Sequence, residues 1–368
     1  MKSVTVSSPS KLHLSGEHAV VYGKPAVLVA TNKRLSVTLS HQLPVSNRQT
    51  IYSSNSTLSN EKLSKTSSHP RLRQVPDGTW LRRDSNNNLL EIRKSDKYID
   101  HICKIFEQKY KLVIGHLSLD IYSDVPIGKG MGSSAALAAA LIGALSQFYK
   151  KPWNISLINE LAYKAEKFIH VNASGGDTSI SCMGGLLWFR REFEFLKTFW
   201  SLPFKFPVKW QDFVLIDTGR SESTGDLVKL VNQNYIFRRK FIPSLPKDSG
   251  SNFYENVFNE IEKTTKQMVL SIKLNNEKLF MQTISQNQML LEKIGVVSKN
   301  VKKLVRLIEQ KGGVAKISGA GGIKTGSGII IGYHQKPDII KQIAKEFGYN
   351  TFQVKLGGEG VKVDNIVI

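Results

Sequence analysis

The sequence predicts two mixed α/β domains, residues 1–190 and 191–368. Three observations lead there. A chain of 368 residues is longer than one hydrophobic core usually serves. Its first half runs from β-branched segments through a glycine-rich loop into a long alanine- and leucine-rich helix. Its second half alternates short apolar strands with amphipathic helices, the pattern of a sheet covered on one face.

Taken in order, Val4–Val6, Ala19–Tyr22, Ala26–Ala30 and Leu35–Leu39 read as strands, with a turn at Gly23-Lys24-Pro25. From Pro44 to Lys97 large apolar residues are few, which predicts long loops and edge hairpins with a short strand at Gly78–Leu81. Tyr98–Tyr110 places Ile99, Ile102 and Phe106 on one helical face, and Leu117–Tyr122 alternates as a strand. Ser133 or Ser134 suits the N-cap of a helix whose body is Ala135–Leu145. Ser156 is expected to cap the next helix, which ends near His170. That helix would bury Leu157, Ile158, Leu161, Ala165 and Phe168 and turn Glu166 outward. A short helix near Asp177 leads to a strand at Leu186–Phe189. Beyond the division come a strand at Val214–Ile216 and helices at 252–273, 276–293 and 298–311. Strands Ala315–Ser318 and Gly328–Tyr333, helix Ile339–Phe347 and strand Thr351–Lys355 complete the pattern.

Composition narrows the function classes. Hydrophobic residues at 41% and charged ones at 22% suit a globular enzyme. No apolar run reaches the roughly 18 residues that a membrane span needs. The polar start Met1–Val6 is unlike a signal peptide, and Cys103 and Cys182 are too isolated for a disulfide or zinc framework, so a cytoplasmic setting is expected. The net charge of +21 raises nucleic acid as a partner. The basic residues are spread along the chain without interleaved aromatics, which disfavours nucleic acid and suits a basic surface that attracts anionic substrates.

Three segments carry chemistry. Pro126-Ile127-Gly128-Lys129-Gly130-Met131-Gly132-Ser133-Ser134-Ala135 joins a glycine loop to a helix start. Glycines allow close backbone approach, and the first amides of a helix are unpaired at the positive end of its dipole. Together they make a phosphate cradle. Glu166 and Ser134 offer hard oxygens of the kind Mg²⁺ takes beside nucleotide phosphates, and Asp177, after a Gly/Ser-rich turn, suits a helix cap or a proton acceptor. In the N-terminal segment Lys11 can neutralise a carboxylate or a forming alkoxide, and Glu17-His18 can hydrogen-bond a hydroxy acid. Lys316–Gly328 has more glycines, among them Gly319 and Gly321 around Ala320, than a hairpin needs, which suits a phosphate or the substrate's anionic group.

Taken together these segments resemble the GHMP kinase family, whose ATP-binding signature is P-x-G-x-G-L-G-S-S. Their order and spacing fit over most of the chain. Within the family, Gly16-Glu17-His18-Ala19-Val20-Val21-Tyr22-Gly23-Lys24-Pro25-Ala26 is most similar to the mevalonate kinase branch. Glu166, His170, Asn172, Ser174, Gly175 and Asp177 fit that branch's E-x3-H-G-x-P-S-G-x-D pattern. The resemblance implies an α+β fold, with an N-terminal domain like ribosomal S5 domain 2 and a C-terminal ferredoxin-like α/β sandwich. It implies ATP and Mg²⁺ as cofactors and mevalonate as acceptor. Asp177 would be catalytic, as base or orienting carboxylate, with Lys11 beside it. Pro126, Gly128, Lys129, Gly130, Met131, Gly132, Ser133 and Ser134 would hold ATP, and Ser134 and Glu166 the metal. Glu17, His18, Thr224, Gly319, Ala320 and Gly321 would bind substrate. Lys129 stands where the family has a small residue, Met131 replaces Leu, Val171 and Ala173 replace Gly and Pro, and Ile323-Lys324 interrupts a glycine run. Phosphomevalonate kinase is the alternative, with Lys129, Arg220 and Lys324 available for a second phosphate. A homodimer is left open.

Overall fold

Alternation along the first thirty residues builds the sheet on which everything else rests. The structure is a computed structural model that describes residues 2–41, 71–74, 80–83, 89–90, 94–115, 117–125, 129–170, 173–193, 196–210, 212–241 and 253–368. Strand β1 (Ser3–Ser15) pairs antiparallel with β2 (Pro25–His41). The two strands expected at 26–30 and 35–39 are one continuous strand, and its two halves choose different neighbours. Pro25–Val29 pairs with β7 (Leu186–Arg191), whereas Leu35–His41 pairs with β6 (Leu117–Ser123). β3 (Arg71–Gln74), β4 (Trp80–Arg83) and β5 (Leu89–Leu90) extend the sheet beyond β6 as hairpins. β8 (Lys197–Ser201) pairs with β7, and β13 (Lys362–Val367) returns from the far end of the chain to pair with β1.

Ala19–Tyr22 is a 3-10 turn, a correction to the strand expected there. Its neighbours explain it. Gly16 and Gly23 both have positive φ and bracket a bend rather than a strand.

Helices α1 (Lys94–Tyr110), α2 (Ser133–Phe148), α3 (Ile155–Ile169) and α4 (Gly176–Met183) follow the first strands. From Ala135 to Ser146 every residue of α2 is buried, the mark of a helix enclosed on all sides. Its small alanines let it lie close against β1, β2 and the flanking helices. The expected serine caps are absent. α2 is capped by Gly132 in the left-handed conformation, and α3 by Asn154, whose side chain accepts from the Leu157 amide at 3.0 Å. With the start of α3 moved back, the buried stripe is Ile158, Leu161, Ala162 and Ala165 with Glu166. Leu157 is only half-buried and Phe168 faces out.

The second sheet is four-stranded: β10 (Val314–Ser318), β11 (Ile329–Tyr333), β9 (Phe213–Asp217), β12 (Asn350–Val354) in spatial order, all antiparallel. This is the ferredoxin-like order, with α5 (Thr224–Phe241), α6 (Phe253–Lys273), α7 (Glu277–Lys293) and α8 (Lys299–Gln310) between β9 and β10 and α9 (Pro337–Glu346) before β12. Alternate side chains split between two cores, as period-2 geometry requires. Phe213 and Leu215 join the core shared with the first sheet, while Val214 and Ile216 pack with residues of α6, α8 and α9. No helix among the described residues is long and apolar enough to cross a membrane.

Candidate active site

Lys11 lies on β1 opposite Ala30, where the pairing with β2 is irregular. Its backbone amide donates to the Met131 carbonyl at 3.0 Å, which docks the glycine loop on the strand. Gly132 makes that approach possible. Its φ is +75°, and a Cβ there would lie 2.9 Å from the Lys11 Cγ. Lys11 is 5% exposed, and its Nζ lies 3.0 Å from Asp177 Oδ1. Asp177 is in the first turn of α4, capped by Gly175 in the left-handed conformation. A carboxylate is favoured at that positive helix end. About a third of the Asp177 side chain is exposed, so the pair opens onto solvent at the carboxylate.

At the adjoining start of α2, Ser134 Oγ donates to Glu166 Oε1 at 2.8 Å, and the Tyr98 hydroxyl donates to Oε2 at 3.1 Å. His170 Nε2 lies 3.4 Å from Oε1. Glu166 is therefore buried, contrary to the outward placement expected from its helix. Burial pushes its carboxyl above the usual range, and the Asp177 charge adds to this. Hydrogen bonds from Ser134 and Tyr98 oppose the rise. Burial, with Glu166 beside it, also raises the Tyr98 phenol. Lys129 reaches from the glycine loop to Asp217 Oδ2 at 2.9 Å, at the end of β9. Pro126 and Gly128 lie outside the described residues.

Glu17 and His18 are brought against the third glycine segment. Glu17 is buried in an ion pair with Lys316 of β10. Lys316 also donates to the carbonyls of His13 at 3.3 Å and Ile317 at 2.6 Å. Burial pushes the Glu17 carboxyl up and the Lys316 ammonium down, and each ion opposes the other's shift. His18, at φ 59°, donates through Nε2 to the Ala320 carbonyl at 2.9 Å. Gly319 and Gly321 flank that carbonyl, both with positive φ. Thr224 belongs to a different element. It opens α5, is exposed, and lies inside a capping box in which Ser223 and Asp226 exchange hydrogen bonds.

Sequence reasoning missed Tyr98, Lys316 and His13 as members of this cluster. Tyr98 carried a usable signal, because a hydroxyl on a helix's buried face must find a partner. Lys316 carried another, as a cation directly between apolar residues of a strand, Ala315 and Ile317.

The cluster supplies what a phosphoryl transfer requires. An unpaired helix start receives anionic oxygens, a buried carboxylate with a hydroxyl suits a divalent cation, and a lysine–aspartate pair adjoins both. Residues 97–185, which span the glycine loop, Glu166 and Asp177, match the family described as "GHMP kinases N terminal domain". Fold and site thus define an ATP-dependent kinase that is similar to the GHMP class.

Within that class the likeness runs to mevalonate kinases. The chain is 28% identical over 372 residues to the mevalonate kinase of Thermococcus onnurineus, covering 99% of each. It is 28% identical over 324 residues to that of Pyrococcus abyssi, covering 87% of this chain and 86% of the relative. The crystal structure of Methanococcus jannaschii mevalonate kinase superposes with a TM-score of 0.70 at 24% identity, over 96% of this chain and 98% of that one.

Proposed function

We propose that the protein transfers the γ-phosphoryl group of ATP to the C5 hydroxyl of (R)-mevalonate, giving 5-phosphomevalonate and ADP. The observation that carries this reading is the Lys11–Asp177 pair, 3.0 Å apart and docked through Lys11 on the glycine loop. The names of the relatives supply the acceptor. Asp177 accepts the hydrogen bond of the substrate hydroxyl and takes its proton as the new P–O bond forms. The bond from γ-phosphorus to the bridging oxygen breaks, and ADP leaves with that electron pair. Lys11 neutralises the charge developing on the attacking oxygen. The amides at Ser133 and Ser134, at the start of α2, bind phosphate oxygens, and Gly130 and Gly132 keep the loop open to them. Glu17 and His18 shape the acceptor pocket by holding the Gly319–Gly321 loop in place.

Ser134 and Glu166 fit Mg²⁺, since the pair is a hydroxyl and a carboxylate 2.8 Å apart and the carboxylate is destabilised by burial. When bound there, the ion would neutralise phosphate charge. The positioning of Glu166 for that role falls to Tyr98, which fixes its second oxygen.

The deciding experiment is ADP release from Mg-ATP with mevalonate, phosphomevalonate, homoserine and galactose offered separately. Turnover on mevalonate alone is expected. Turnover on phosphomevalonate instead would overturn the acceptor and keep the phosphate site, and silence on all four would overturn the reading.

A further inference from the structure

We propose that His13 is a positioning residue that holds the Lys11 ammonium in place against Asp177. Residues two apart on a strand point to the same face, so positions 11 and 13 of β1 share one side. Lys11 Nζ lies 3.4 Å from His13 Nδ1 and 3.0 Å from Asp177 Oδ1. The lysine stem is flexible and carries about 2 kcal/mol of rotamer entropy, so one partner alone leaves it loosely aimed. Two partners fix two of its three N–H groups and leave the third for the reacting oxygen.

The histidine is itself anchored. Its backbone amide donates to Ser318 Oγ at 2.9 Å, and its carbonyl accepts from Lys316 Nζ at 3.3 Å. Both partners lie on β10, so the main chain that carries the ring is fixed relative to both sheets. The charged and titratable groups facing it are Lys11 on its own strand, His18 after that strand and Lys316 on β10. Asp177 on α4 faces Lys11 from the other side. Burial first, then Lys11, Lys316 and His18, keeps the imidazole well below its ordinary pKa. A neutral ring has one acceptor nitrogen, and beside an ammonium that nitrogen is Nδ1, with the proton on Nε2.

The inference rests on the proposed phosphoryl transfer for its kinetic consequence but not for its geometry, and two readouts keep these apart. Asn places an acceptor oxygen close to where Nδ1 stands, whereas Leu matches the volume with no acceptor. His13→Leu is expected to lower kcat by about 10- to 100-fold with KM for ATP within about twofold, and His13→Asn to restore most of kcat. In protein labelled with ¹⁵N-lysine, the Lys11 Nζ signal, assigned by its loss in Lys11→Arg, should move in His13→Leu and return in His13→Asn. An unmoved Lys11 signal overturns the proposal whatever the substrate. So does an Asn variant as slow as Leu. Wild-type protein silent on all acceptors would fail the phosphoryl-transfer reading, and the Nζ signal would then decide the role of His13 alone.

Discussion

Replacing Gly132 by alanine puts a single methyl group against the stem of Lys11. The added Cβ would lie 2.9 Å from Lys11 Cγ and 3.4 Å from Cε. Ordinary carbon–carbon separations are about 3.5–4.0 Å, so Cγ must retreat by roughly 0.6–1.1 Å. A retreat of that size carries Nζ away from its 3.0 Å contact with Asp177. Misplacement by about 1 Å at a reacting centre costs about 10²-fold in rate, or some 2.7 kcal/mol of barrier. The alanine must also adopt φ near +75°, which costs about 1–2 kcal/mol of stability. The expected outcome is kcat down about 100-fold in an ADP-coupled assay, with a modest fall in the urea midpoint. Because the effect passes through Lys11, Gly132→Ala added to Lys11→Ala should cost little further rate. A Gly132→Ala enzyme within about threefold of wild type, or full additivity in the double variant, would refute the reasoning.

Asp177→Asn should lower kcat by about 10²- to 10⁴-fold while ATP affinity, read by displacement of a fluorescent nucleotide, barely changes. Near-normal turnover would remove Asp177 from the chemistry. Glu166→Gln should raise the Mg²⁺ concentration needed for half-maximal rate roughly 10- to 100-fold. The same change should raise the urea midpoint at pH 7. The folded pKa of Glu166 lies above its unfolded value, so the ionised group opposes folding above that pKa, and wild-type stability recovers as pH falls through it. A lower midpoint for Glu166→Gln would contradict this. Glu17→Leu leaves Lys316 buried with only two carbonyl partners and should destabilise by up to about 3–5 kcal/mol, most of it recovered in Glu17→Leu with Lys316→Met. Urea unfolding of the single and double variants checks it, and equal midpoints would defeat it.

What the sequence revealed depended on how local the cause was. Helices with strong periodicity, such as Phe253–Lys273 and Lys299–Gln310, lie within a residue or so of where pattern places them. The chemistry-bearing side chains stood out because glycine, serine and carboxylates cluster there for reasons of backbone geometry. What escaped was decided by partners far along the chain. Glu166 was assigned to solvent because its own helix shows no reason to bury it. That reason is the Tyr98 hydroxyl and Ser134, 68 and 32 residues earlier. Helix caps escaped for the opposite reason. Gly132 takes the cap of α2 because the loop must clear Lys11, and that leaves the neighbouring serines free of the role.

The pairing of β13 with β1 has a consequence for how the protein is made. Residues 3–7 find their outer neighbours at 362–367, so the strand that carries Lys11 has an open edge until those distant residues have been synthesised. At about 5–20 residues per second, the intervening stretch takes roughly 20–70 s to emerge from a ribosome. During that interval β1 can pair with β2 but offers its other side to any strand that comes by. The nascent enzyme is then most vulnerable to mispairing on the strand that later positions its lysine.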